Sequence, residues 1–383
     1  MLRETKIADN ANSNCELEYI DKEFVLDCLG VPTSSGAEFR MQEFIILWAR
    51  RNGILCSVDK RGNIYLTKGI VGGNEYYPCV TSHMDTVHYE NKDYAELGVG
   101  LRLKVENEKG KTKVSAPGLG IGADDKAGIC ISLTLMGMFD KIKACFFVEE
   151  ETGCRGSSEL DSNWFDDVGY VIGWDSPDLN RAAWKCGGIK LFSYDFYKTH
   201  IKEICDRWGL TKFYSEPITD VMNIRTMTEI VCMNFGNGGY RAHSIDEYCI
   251  LEDMDHAAGM GADLIRGLGM DRYEMAHVDK AWNSKNDVRY WIDERGIYHS
   301  EKIKDDDALL AELGDGSKFS YSTTYKPGKK LSDAAVRYVI DTYEEYISNL
   351  EESVMDALTE AYGGDKDKAK EKVNEIFNKE VTE

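Results

Sequence analysis

Residues 118–153 read GLGIGADDKAGICISLTLMGMFDKIKACFFVEEETG, and the order of elements in this stretch decides the fold. A glycine-rich loop delivers Asp124 and Asp125 to the start of a helix that runs from Asp125 to Phe139. KACFFVEE then reads as a buried strand that runs straight into three acids. The same alternation extends outward from this unit. Upstream, YYPCVTSH (76–83) is a short apolar strand, and ILCSVDKRGNIYLTKG (54–69) is a hairpin around Lys60-Arg61-Gly62-Asn63. Apolar residues at helical spacing mark Glu16–Gly30 and Glu38–Arg51. Downstream come strands at GYVIGWD (169–175), GIKLFSY (188–194) and EIVCMNFG (229–236), with helices at Phe196–Trp208 and Met254–Leu268. Strands alternating with helices predict an α/β three-layer sandwich around a mostly parallel central sheet. In such sheets functional groups gather at the carboxyl ends of the strands.

The pattern changes near residue 271, which predicts a domain over 15–270 and a C-terminal extension over 271–383. WIDERGIYHSEKI (291–303) reads as a small hairpin. Val336, Val339, Ile340, Tyr343, Ile347, Leu350, Val354 and Leu358 mark one long amphipathic helix from Ser332. Gly363-Gly364 separates it from a short charged helix over Asp365–Lys379. A helical hairpin packed on the domain is the commoner arrangement for such a tail. A surface for homo-oligomers, built from these helices, is the other.

Of the 383 residues, 46 are Lys or Arg and 67 are Asp or Glu, a net charge of −21. That balance speaks against nucleic acid, whose phosphates need a basic face. It speaks equally against an anionic membrane surface. The 11 cysteines are odd in number, and several lie in apolar runs, such as Cys145 and Cys232. There a thiol behaves as a small buried hydrophobe, and a reducing compartment is expected. The first residues carry no apolar core of a signal peptide. No run reaches the ~18 apolar residues of a membrane span. The expected location is therefore cytoplasmic.

Five clusters place an acid or imidazole at the end of an apolar run. In CVTSHMDTV, His83 and Asp85 stand two apart and face one side of an extended chain. That spacing suits a metal-binding imidazole steadied by a carboxylate. Asp124 and Asp125 are either helix caps or ligands, and their own setting leaves the two readings even. Glu149, Glu150 and Glu151 follow a buried strand directly, where like charges repel and resist desolvation. A cation removes that cost, and a neighbouring carboxylate can act as base toward water. VIGWDS ends a strand at Asp175, and MNFGNGGYRAHSIDE presents His243 from a glycine-rich loop. Ser244 and Glu247 match a capping-box spacing and need no catalytic role on that reading. His88, His200, His256, His277 and His299 read as surface or core residues. Together the clusters offer two His, two Asp and one Glu as ligands, with one Glu spare. Oxygen and imidazole donors suit two divalent ions such as Zn, Mn or Co.

SHMDT, GADDKAG, EEETG, a strand-end WD and GYRAHSIDE, in that order, resemble the cocatalytic metallopeptidases of the M20 and M28 type. The tripeptidase T and carboxypeptidase branch of M20 is the nearest in flavour. The flanking PTSSGAE (32–38) and DKRGNIYLTKG (59–69) extend the likeness, which covers Cys15 to Gly269. The resemblance implies that His83 and Asp175 hold one ion, Glu151 and His243 the other, with Asp124 bridging both. It implies Glu150 as general base, Asp85 as the residue orienting His83, and a cis peptide between Asp124 and Asp125. The choice of Glu150–Glu151 over Glu149 follows the family's spacing to Thr152-Gly153. Tyr240 or Arg241 is then a candidate for contact with substrate. M20 enzymes usually insert a lid domain between their last two motifs. Only 67 residues separate Asp175 from His243, and the core sheet needs them. No lid is therefore expected here. The implied activity is exopeptidase cleavage of small peptides. A deacylase acting on N-acyl amino acids, or a non-catalytic binding protein that keeps the fold, are the alternatives.

Overall fold

The computed structural model describes residues 17–88, 100–210 and 212–275, two strands at 288–292 and 298–302, and residues 366 and 368. Helix α1 (Lys22–Leu29) starts where the Asp21 carboxylate accepts the Phe24 N–H, and it buries Val25, Cys28 and Leu29. Helix α2 (Phe39–Arg51) buries Met41, Ile45 and Ala49, four residues apart on one face. Strands β1 (Leu55–Val58) and β2 (Ile64–Lys68) form the expected antiparallel hairpin, with Val58 opposite Ile64. Its turn is held by Asp59, whose Oδ1 accepts the N–H groups of Arg61, Gly62 and Asn63.

Four strands form the heart of the main sheet: β3 (Tyr77–His83), β6 (Ile142–Phe147), β7 (Val168–Ser176) and β11 (Cys232–Gly236). They lie side by side and all run parallel. Around them the strand order is β1-β2-β6-β3-β7-β11-β8-β10, where β8 is Ala182–Cys186 and β10 is Phe213–Glu216. β2 joins β6 antiparallel, β8 joins β11 antiparallel, and β10 joins β8 parallel. The central strands read as unbroken apolar runs because both faces are covered; every residue of β3 and β6 is buried.

Alternation along β7 shows which helices cover which face. A Cβ on Gly173 would meet Val221 of α7 (Asp220–Thr228), whereas Trp174, pointing the other way, packs on α8 (Leu251–Leu268). Helix α3 (Ala123–Met138) lies on the Trp174 side with α1 and α8, apolar all round and buried along most of its length. Helices thus cover both faces of the mixed sheet. Between α3 and α7 the chain also forms the short helices α4 (Arg155–Ser158), α5 (Tyr194–Phe196) and α6 (Lys202–Arg207). The residues between Asp175 and His243 build β8, β10, β11 and the helices α5 to α7 of this same body.

Several elements differ from the sequence reading, which assigns no element to β8, β10 or α7. GIKLFSY is not one strand: only Ile189–Lys190 pair, as β9, against β8. Ser193 then accepts the Phe196 N–H and starts α5, which ends the extended segment. A second sheet was not foreseen. It contains β4 (Lys104–Glu108), β5 (Lys111–Ser115), β12 (Gly239–Tyr240) and β13 (Tyr248–Ile250), in the order β12-β13-β5-β4. KVENEKGKTKVS carries one apolar residue per strand, Val105 opposite Val114, so it lacks an alternating apolar signal. Its turn is nonetheless favourable, since Lys109 and Gly110 both take positive φ as a two-residue hairpin of matching twist requires.

Past residue 270 the chain still bonds to the main body: Tyr273 donates its N–H to Gly169 and accepts from Val231. The expected hairpin is present, β14 (Val288–Ile292) pairing antiparallel with β15 (Tyr298–Lys302). The helices expected over 332–358 and 365–379 lie outside the described residues, apart from Lys366 and Lys368, which are helical. Among the described residues no helix is long and apolar enough to cross a membrane, and all the described cysteines are free.

The α8 contact gives a direct test of the packing. A Cβ at Gly261 would stand 2.7 Å from Trp174 Cζ2 and 2.9 Å from Leu135 Cδ1. Gly261→Ala sets about 1–3 kcal/mol of overpacking against about 1 kcal/mol of gained helix propensity, so a urea midpoint no higher than the native one is expected. A midpoint raised by the full propensity gain would contradict the close approach of α8 to Trp174.

Candidate metal centre

All the charged motifs meet at the carboxyl ends of the four parallel strands. β3 ends on His83; β6 leads through Val148 into Glu149, Glu150 and Glu151; Asp175 is the penultimate residue of β7. The loop between β12 and β13, just after β11, presents His243, and the start of α3 supplies Asp124. Asp124 stands between the two imidazoles. Its Oδ1 is 3.1 Å from His83 Nε2 and its Oδ2 is 3.3 Å from His243 Nε2. Asp175 Oδ1 is 3.5 Å from the same His83 nitrogen, and Glu151 Oε1 is 2.8 Å from His243 Nε2. His83, Asp124 and Glu151 offer atoms that all lie within 4.8 Å of one another. The peptide bond between Asp124 and Asp125 is cis, as the family resemblance implied.

The three consecutive glutamates diverge. Glu149 has a left-handed backbone (φ 52°), and its carboxylate pairs with Arg61 and Arg155. Glu150 is buried, accepts the Cys154 thiol at 3.1 Å, and lies in the field of Asp175. Glu151 faces His243.

Asp85 ties this loop to β3. Its carboxylate accepts the Glu150 N–H at 2.9 Å, the Glu151 N–H at 3.1 Å and the Ser35 hydroxyl at 2.7 Å. It is farther from the His83 ring: Nδ1 lies 3.5 Å from Asp85 Oδ1 but 2.8 Å from the Asp85 backbone carbonyl. The carbonyl and the carboxylate thus both face the ring nitrogen, and the carboxylate also fixes the glutamate loop. Asp125 is a scaffold group, accepting from Asn237 Nδ2, the Gly128 N–H and the His83 N–H.

Burial pushes Glu150 well above the usual carboxyl range, with Asp175 adding to the effect. Burial likewise lifts Asp175 to about 6 and Glu151 to about 7. On the imidazoles burial acts downward, yet the surrounding carboxylates win. His83 is raised well above its ordinary value, chiefly through Asp124, and His243 reaches about 11 through Asp124 and Glu151. Asp124 is held low against its own burial by His243 and His83. So many buried carboxylates facing two imidazoles demand positive charge. The donors point at one another across hydrogen-bond distances, where a cation would replace the shared protons. This oxygen and imidazole set fits divalent ions of the Zn, Mn or Co type.

The remaining candidates make contacts of their own. The Tyr240 hydroxyl donates to Asp253 Oδ2 at 2.6 Å, and its ring stacks on Tyr248. Arg241 is exposed and lies 3.9 Å from Asp246. His200 packs against Phe196 and Tyr273, His256 Nε2 contacts the Trp208 carbonyl, and His88 is half-buried with Nδ1 on the Gly120 carbonyl. His277 and the side chain of His299 lie outside the described residues.

The capping-box reading of Ser244 and Glu247 is corrected. No helix begins there; Tyr248–Ile250 is strand β13. Ser244 Oγ donates to the Arg241 carbonyl, and the buried Glu247 carboxylate accepts the N–H groups of Gly122 and Asp124. The β-rich YCI that follows was the available signal against a cap. Ser35, Cys154 and Asn237 were also missed, because no local pattern marks a residue whose partner is distant in sequence.

No protein-family profile matches the chain. Over 166 residues it is 25% identical to the cytosol non-specific dipeptidase of Escherichia coli, covering 41% of this chain and 33% of that protein. The chain thus matches about a third of that relative's length. In fold it is similar to a tripeptidase from Staphylococcus aureus, with TM-score 0.50 and 15% identity over 65% of this chain and 99% of that one. It is similarly close to aminopeptidase PepT from Bacillus cereus, with TM-score 0.50 and 14% identity over 66% and 100%. The dipeptidase match supports the resemblance to M20-type peptidases that the motifs carry, and the two solved structures share the fold.

Asp85 gives the site's stability test. Its carboxyl is held below the usual range: burial opposes this, but His83, Ser35 and the Glu150 N–H outweigh it. Asp85→Ala strips two buried N–H groups of their acceptor, at about 1–3 kcal/mol each. Chelator-treated protein is expected to lose at least about 2 kcal/mol in urea denaturation. An unaltered midpoint would contradict the role of Asp85 as the tie.

Proposed function

We propose that the chain is a dinuclear metal-dependent exopeptidase acting on small peptides. The observation that carries this reading is the division of Asp124 between two imidazoles. Each half of the cluster then has its own donors: His83 and Asp175 on one side, Glu151 and His243 on the other. These residues would hold two divalent ions, zinc foremost, with Asp124 shared. When bound, such ions supply Lewis acidity toward a carbonyl oxygen and a water. On this reading residues 15–270 form the catalytic domain and 271–383 its extension.

The chain's own contribution is the handling of protons and positions. Glu150 takes the proton of the attacking water and passes it to the leaving amine. Its burial supports that use, since a desolvated carboxylate holds a proton readily. The Cys154 thiol, 3.1 Å away, donates to Glu150 Oε1 and limits its rotation. Asp85 sets the backbone of Glu150 and Glu151 together, so base and ligand keep a fixed spacing. Because residues 176–242 belong to the core, no inserted lid separates the last two motifs. A short substrate is in keeping with the similarity to the dipeptidase.

Glu150→Gln keeps the volume and removes the base. It is expected to retain the zinc content of the native protein and to lose about 10²–10⁴-fold in turnover of a dipeptide. Retained turnover would remove Glu150 from this role. A panel of dipeptides, tripeptides and N-acetyl amino acids, run with the native protein, is expected to favour the free peptides over the acylated ones.

A further inference from the structure

We propose that Glu247 is a positioning residue for the metal site, holding the shared carboxylate of Asp124 in register with His243; this rests on the metallopeptidase reading above. Glu247 is 1% exposed, and both of its oxygens are committed to backbone donors. Oε2 accepts the Gly122 N–H at 2.6 Å, and Oε1 accepts the Asp124 N–H at 3.1 Å. With both oxygens on N–H groups, Glu247 acts on the site through Asp124.

Its position in the chain makes the contact a coupling. Glu247 follows His243 by four residues, in the loop that presents that imidazole. One carboxylate therefore fastens the loop of one donor to the backbone of another. The two loops are in close contact: a Cβ on Gly120, which has φ +74°, would stand 2.8 Å from the Ser244 carbonyl. Burial raises the Glu247 carboxyl, with the Asp124 charge adding to the effect, while the Asp124 and Gly122 N–H groups and Lys126 oppose it. Lys126 is itself fixed by the carbonyls of Leu29 and Val31, so its charge stays in place.

Removing the carboxylate leaves the Gly122 and Asp124 N–H groups buried without acceptors. The Asp124 backbone is then free to shift, and its two oxygens no longer face both imidazoles together. Residues that orient ligands in this way typically contribute 10–100-fold to metal affinity.

The test titrates zinc into chelator-stripped full-length protein by calorimetry, comparing native protein with Glu247→Ala, Glu247→Gln and Ser244→Ala. Native protein and Ser244→Ala are expected to take up two ions with matching affinity. Glu247→Ala is expected to bind at least one ion about 10–100-fold more weakly. Glu247→Gln, which keeps one carbonyl oxygen for one N–H, is expected to fall between them. A purely structural role would lower the urea midpoint of the metal-free variants and leave zinc affinity intact, and that result overturns the proposal. Should Glu247→Ala fail to fold, Glu247→Gln decides: native zinc affinity in that variant overturns the proposal equally. No zinc uptake by native protein would instead remove the metal reading, and this inference with it.

Discussion

Asp124 divides its two oxygens between two imidazoles, and the rest of the site is arranged around that division. A carboxylate can serve two partners at once only if its backbone is held and both partners arrive from opposite sides. The parallel core meets the second requirement. β3 brings His83 and the β12–β13 loop that follows β11 brings His243, with β7 and its Asp175 between β3 and β11 in the sheet. The first requirement is met by the loop before α3, which Glu247 holds by two N–H groups.

The cost of this arrangement is a concentration of like charge in a buried place. The fold offsets it with directed donors. Asp85 receives two backbone N–H groups and a hydroxyl, and Asp125 receives an amide, a helix N–H and the His83 N–H. What these donors leave is the carboxylate set of Asp124, Glu150, Glu151 and Asp175 against two imidazoles. The turn at Glu149 decides which acids belong to that set. Its left-handed backbone and its pairing with Arg61 and Arg155 draw the first glutamate away, so the second and third face the centre.

Much of this was legible in the sequence, for a physical reason. Strands buried on both faces must be apolar throughout, so YPCVTSH and IKACFF announce themselves without alternation. An acid directly after such a strand can only lie at its carboxyl end, which is where parallel sheets gather their chemistry. The order of the strands was not legible, because β3, β6 and β7 carry no mark of which neighbour each will take. The hairpin of β4 and β5 was hidden by its charged faces. Asp85 meets the His83 ring through its carbonyl at 2.8 Å as well as its carboxylate at 3.5 Å, and only the second contact is suggested by the residue type. Spacing along the chain shows that two residues can meet and does not say through which atoms. Glu247 fits a capping box by its spacing from Ser244, whereas its partners Gly122 and Asp124 lie 125 and 123 residues away and leave no local mark.

The proposed pair of ions, with Asp124 between them, is tested most directly by crystals grown with zinc. Anomalous diffraction at the zinc edge is predicted to show two peaks per chain. One should touch His83 and Asp175, the other Glu151 and His243, and Asp124 should touch both. A single peak, or none within reach of Asp124, would contradict the account.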